Sequence, residues 1–210
     1  MKKELFNDKY GLTSAVLNRI KTNTRRLIKG DYEKITAYHV LHSLCFIAET
    51  KDGRPVEIKP RYQIGDEVAV AMSYESIIEA AKSEDKIKHF LVKKDLMLED
   101  GRFFADLFIP LFTSSGWTNK MFVRADLMPH RIRITDIKAE RLQDISDEDC
   151  QKEGVVATHG GYGVEFGLNY QVFGSTPREA FAALIDRVCG RGTWERNPWV
   201  FAYEFELIKK

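Results

Sequence analysis

The sequence predicts an α+β fold: a small β-barrel with helices packed on it. Three observations point there. Short alternating runs recur at residues 67–72, 132–139 and 199–207. Helical patterns with their own start and stop signals lie between them. The two kinds do not follow the strand–helix–strand rhythm of a parallel sheet. The chain has 210 residues, no internal repeat and no linker-like low complexity, so one domain over 1–210 is expected.

Taken in order, Thr13 or Ser14 reads as the cap of a short helix with Val16, Leu17 and Ile20 on one face. Lys21-Thr22-Asn23-Thr24-Arg25-Arg26 follows where that helix should end. A helix is expected from Ile35 to Ile47, and Asp52-Gly53-Arg54-Pro55 reads as a turn. Ile64-Gly65-Asp66 turns into a strand from Glu67 to Met72. Ser76 to Lys94 reads as one helix with Ile77, Ile78, Ala81, Ile87, Phe90 and Leu91 as its apolar positions. Phe103 to Phe112 reads as a strand, at an edge because of Pro110. Strands are expected at Met121–Ala125 and Ile132–Ala139, the second with a bulge near Thr135-Asp136 where the alternation changes phase.

Ser146-Asp147-Glu148-Asp149 is a capping-box pattern opening a short helix that stops at Gly154. Gly160, Gly161, Gly163 and Gly167 mark a loop; with no strand before them and no helix after, they receive no phosphate-binding role. Thr176-Pro177-Arg178-Glu179 starts a helix lined by Phe181, Leu184, Ile185 and Val188 and ended by Gly190. The closing strand puts Trp199, Phe201, Tyr203, Phe205 and Leu207 on one side and Val200, Ala202, Glu204 and Glu206 on the other.

Composition excludes several classes. With 44% hydrophobic and 30% charged residues the chain is globular rather than disordered. No apolar run approaches the ~20 residues of a membrane span, and the start lacks the apolar core of a secretory signal, so a cytoplasmic address is expected. Cys45, Cys150 and Cys189 are odd in number and far apart, which excludes a disulfide framework and a zinc ribbon; Cys45 and Cys189 read as small buried hydrophobes. The histidines His39, His42, His89, His130 and His159 have no carboxylate at ligand spacing, so no metal or cofactor is assigned. Net charge is +1, but residues 1–60 carry 12 Lys or Arg against 7 Asp or Glu. Such a basic first quarter suits either a phosphate-bearing partner or a plain solvated surface.

Chemistry concentrates at 21–26. In an extended stretch Thr22, Thr24 and Arg26 point one way and Asn23 and Arg25 the other, with Lys21 able to reach the first face. The cluster could hold a phosphate or polar carbonyl. Lys beside Thr could equally be a base–nucleophile pair if burial lowers the Lys pKa, or the run could be a basic helix end leading into a strand. Glu153 stands out because a carboxylate near a helix C-terminus meets the unfavourable end of the dipole. Trp194, with Arg191, Arg196 and Asn197 in its turn, could stack a base or cover the barrel end.

These residues resemble a known signature. Lys21-Thr22-Asn23-Thr24-Arg25-Arg26 is similar to the K-T-x-T-R-R form of the ASCH domain, a member of the PUA-like superfamily, in a bacterial and phage branch. Ile64-Gly65-Asp66-Glu67-Val68 looks like that family's entry to its next strand. Residues 132–155 resemble its I-T-x-I-x-x-E-R-L-Q-D-I-S stretch, and Trp194 to Phe205 its closing W-x-x-N-P-W-V segment. The resemblance implies a pseudo-barrel with a cleft beside the signature, enlarged by insertions at about 30–60, 73–118 and 156–175. It implies RNA or nucleotide as partner; on that binding reading Lys21, Arg25 and Arg26 would hold phosphate and Trp194 would stack, with Thr22 and Asn197 also in the ligand site. One small bacterial group of the family comprises amidohydrolases that deacetylate N4-acetylcytidine. By motif, its base, nucleophile and proton donor fall on Lys21, Thr24 and Glu153; on that reading Arg26 would steady the oxyanion. That group has an apolar residue where this chain has Arg25, and it is far shorter. The expectation is an RNA- or nucleotide-binding protein, with hydrolysis of a modified nucleoside as the alternative.

Overall fold

The computed structural model describes residues 1–40, 43–102, 105–166 and 169–208. The first part of the chain forms β1 (Lys3–Glu4), α1 (Leu12–Leu17), β2 (Asn23–Leu27), β3 (Tyr32–Val40), β4 (Ser43–Thr50), β5 (Pro55–Ile58) and β6 (Glu67–Val70). Three helices follow: α2 (Tyr74–Ser83), α3 (Asp85–Lys93) and α4 (Ala105–Phe112). The remainder is β7 (Arg131–Arg141), α5 (Asp147–Lys152), β8 (Val155–Thr158), β9 (Gly161–Phe166), β10 (Asn169–Gly174), α6 (Pro177–Cys189), α7 (Thr193–Arg196) and β11 (Trp199–Leu207). The fold is mixed α+β. Among the described residues no sheet closes on itself as a barrel, and no helix is long and apolar enough to cross a membrane.

Contacts gather the chain into two compact units, Met1–Phe6 with Glu67–Ile132, and Asn7–Asp66 with Arg133–Lys210. In the smaller unit β1 runs parallel to β6, pairing Lys3 with Ala69. Its core joins Ala71 and Met72, just after β6, to Ile77, Ile87 and Leu91 on the apolar faces of α2 and α3. In the larger unit β11 lies between β2 and β7, and two antiparallel meanders, β3–β4–β5 and β8–β9–β10, are built from the stretches set aside as insertions at 30–60 and 156–175. The stretch at 73–118 holds the smaller unit's three helices.

Local rules placed several elements well. Ser146 caps α5 by accepting from the Asp149 amide, and Thr176 caps α6 with Pro177 in its first turn. The phase change in β7 shows in its burial, with Ile132, Ile134 and then Ile137 inside.

Other expectations are overturned. Residues 35–47 are strand, not helix, wherever they are described: Leu44, Phe46 and Ala48 are buried at period two, and β-branched and aromatic residues populate β3. The single helix from Ser76 to Lys94 is two, because Glu84 is extended (φ −119°, ψ 103°). Residues 105–112 are helical despite Pro110, with Phe112 stacked edge-on against Trp117 at 4.8 Å; Phe103 lies outside the described residues. Residues 121–125 run from one 3₁₀ turn (Lys120–Phe122) through extended Val123 and Arg124 into a second (Ala125–Leu127) rather than forming a strand, and the Lys3 ammonium takes the carbonyls of Lys120, Met121 and Val123 at 3.1, 2.6 and 2.8 Å. The glycines at 160–163 form a hairpin rather than a loop. Gly161 sits at φ 136°, where a Cβ would lie 2.4 Å from the Gly174 carbonyl; Gly167 and His42 lie outside the described residues. α1 is capped by Gly11 instead of Thr13 or Ser14, since Thr13 lies inside the helix and donates to Asp8. Cys150 is the buried cysteine; Cys189 is exposed and Cys45 half-buried.

Candidate functional site

The site is assembled where two helices end. α1 stops at Asn18, and Arg19 takes a left-handed φ of 61°, after which the Ile20 and Lys21 amides both return to the Ala15 carbonyl. α5 ends at Glu153, and Gly154 carries the chain away at φ 103°, a conformation that favours glycine. The Thr22 amide donates to the Lys152 carbonyl and the Phe205 amide to the Thr22 carbonyl, both at 2.8 Å. These two bonds stitch the start of β2 between the last turn of α5 and β11. In that position Lys21 and Glu153, 132 residues apart, meet.

Their surroundings are dry and charged. Lys21 and Glu153 are 2% and 4% exposed. Lys21 Nζ donates to the Glu153 carboxylate at Oε2, and to the Glu153 carbonyl at 3.0 Å, so the ammonium also answers the negative end of α5. Arg25 donates from Nη1 to Glu153 Oε1 at 3.0 Å, from Nε to Glu140 Oε1 at 2.8 Å and from Nη2 to Asp149 Oδ2 at 3.1 Å. Lys138 reaches Asp149 at 3.0 Å and Glu140 at 3.2 Å. Three carboxylates thus face Lys21, Arg25 and Lys138, with Lys152 3.8 Å from Asp149 on its outer side.

Burial and charge pull against each other here. Burial draws the Lys21 ammonium below its ordinary value; the Glu153 charge and hydrogen bond oppose this, and the Arg25 charge adds to it. Burial would raise the Asp149 carboxyl, but Lys138 and Arg25 outweigh it and hold that carboxyl low.

On the opposite face of β2, Thr24 stands across from Tyr203 and Arg26 from Phe201. Tyr203 packs edge-on to Tyr62 at 5.3 Å and accepts from the Arg61 amide at 2.9 Å; Phe201 packs on Phe46 at 5.0 Å. Tyr62 is fully buried, which pushes its phenol up to about 12. Burial lowers the Arg26 guanidinium, opposed by the charges of Glu153 and Tyr62.

Arg25 thus belongs to this cluster, with its donors on carboxylates, but not every candidate does. Trp194 has the Arg178 guanidinium 5.3 Å over its ring and Phe181 edge-on at 6.2 Å. Asn197, left-handed at φ 45°, accepts from the Gln143 amide at 2.8 Å and serves its turn. A surface cavity of about 450 Å³ lies next to Gly154, but the described residues lining it do not include Lys21, Thr24 or Glu153.

Sequence reasoning missed Glu140, Asp149 and Tyr62. Asp149 and Glu153 share a helix face at i, i+4 spacing, and Lys138 and Glu140 share a strand face, so both carried a signal. Tyr62 carried none. No family model matches this chain, and no curated protein or solved structure matches it either.

Proposed function

We propose that this is an ASCH-type chain of the PUA-like superfamily, its pseudo-barrel centred on β2, β11 and β7, and that its Lys21–Glu153 centre hydrolyses the amide of an acylated nucleoside such as N4-acetylcytidine. One observation carries the choice over RNA binding. Lys21 and Arg25, the cations a phosphate-binding surface would present, are buried and turned onto carboxylates. Phosphate recognition needs exposed cations, whereas acid–base chemistry uses buried ones whose pKa has moved.

Burial draws Lys21 toward its amine form, and the reaction starts from that amine with the exchangeable proton of the pair on Glu153. The nucleophile comes from the motif: once the Thr24 hydroxyl is brought within hydrogen-bond reach of Lys21 around the edge of β2, the amine takes its proton as Thr24 Oγ1 bonds to the acyl carbon, and Arg26 stabilises the oxyanion. The carbon–nitrogen bond breaks as Glu153 gives its proton to the leaving amine, which leaves an ammonium and a carboxylate. Water then attacks the acyl-threonine; Glu153 accepts the water proton, Lys21 returns one to Thr24, and the neutral pair is restored.

Incubating the full chain with N4-acetylcytidine should release cytidine and acetate, and Lys21→Met or Glu153→Gln should each slow release on the order of 10²–10⁴-fold. No release by the unmodified chain, together with salt-sensitive RNA binding that is lost in Arg26→Ala, would replace this reading with the RNA- or nucleotide-binding one.

A further inference from the structure

We infer that Arg25 is a positioning residue that divides the Glu153 carboxylate, holding Oε1 and leaving Oε2 to Lys21. This rests on the hydrolytic reading for its chemistry, though not for its geometry. The Arg25 side chain is 1% exposed, and each of its three nitrogens donates to a different carboxylate. A guanidinium presents donors in a fixed plane, so Glu140 and Asp149 set the orientation with which it meets Glu153. Lys138 balances those two acids from the other side. The Phe181 ring, 5.9 Å from the guanidinium carbon, completes the seat without adding a charge.

The charged groups around the pair come from three elements: Arg25 and Arg26 on β2, Lys138 and Glu140 on β7, and Asp149 and Lys152 on α5. Among those acting on Lys21 itself, Glu153 favours the ammonium and Arg25 opposes it. Arg25 therefore does two things at once: it aims the acid and it discourages the base from holding a proton. A lysine in its place would keep the charge but could not span three carboxylates.

The test follows the Lys21 side-chain nitrogen by NMR titration, without substrate, in the unmodified chain, Arg25→Met and Arg25→Lys. Its midpoint should rise in Arg25→Met and return toward the starting value in Arg25→Lys. Turnover of N4-acetylcytidine should fall in kcat by roughly 10- to 100-fold in both, with KM little changed, because a misaimed group costs about that much. If Arg25→Met is too unstable, Arg25→Met with Glu140→Gln removes one unpaired carboxylate, and the midpoint should still rise. An unmoved Lys21 midpoint with kcat retained would overturn the inference. A midpoint that moves in a chain with no turnover at all would uphold the role of Arg25 and overturn the hydrolytic reading instead.

Discussion

The two faces of β2 are built from opposite chemistry. On one, Arg25 sinks into Glu140, Asp149 and Glu153. On the other, Thr24 and Arg26 stand opposite Tyr203 and Phe201, which pack on Tyr62 and Phe46. A strand of five residues separates an ionic interior from an aromatic one. The contrast shows how a buried charge network can be kept: its cost is met by matching every carboxylate with a cation, while the aromatic side excludes water from the same strand. It also means that the two faces should fail under opposite conditions.

The sharpest break is Glu153→Ala. It strands Lys21 and Arg25 without the carboxylate they share, and removing one partner of a buried pair costs about 3–5 kcal/mol; a urea titration at neutral pH should show that loss. A smaller loss would mean that the ionic face tolerates imbalance. The aromatic face answers to alkali. Tyr62 titrates near 12 in the folded chain against an ordinary 10, so the folded state keeps a proton that the unfolded state gives up between those values. Its contribution is complete below pH 10 and fades as pH rises through the folded value, by about 2–3 kcal/mol in all. Tyr62→Phe should flatten the alkaline fall in stability, read from urea midpoints at successive pH values.

The least effect is expected from acid on the ionic face. The Asp149 carboxyl is held below its ordinary 3.8, so the stability it contributes is present above that value and is lost as pH falls below it. Asp149→Asn should remove part of the acid-side slope while leaving the alkaline side unchanged. A variant that altered both slopes equally would show that the two faces are not independent.

Much of this was legible from residues alone, because the rules concerned are local. Ser146 and Thr176 announce helix starts through bonds to amides three residues on, and the alternation at 199–207 announces a strand. Glu153 was visible as a carboxylate on the wrong end of its helix, and its answer is a lysine that caps the same end. The misreadings came where local and tertiary preferences diverge. Pro110 reads as a helix breaker, yet its segment is helical, and Ile35 to Ile47 carried helix-compatible spacing in a strand pair.

By itself, then, the sequence determined the mixed α+β character, the caps, the closing strand and the identity of Lys21, Thr24 and Glu153 as candidates. Tertiary structure alone decided that Lys21 meets Glu153 and that Arg25 faces acids 115 to 128 residues away. The reason is physical. A cap or an alternating face is written in neighbouring residues, whereas the partner of a buried charge depends on which distant segment packing brings alongside, and on burial making an unpaired charge too costly to leave.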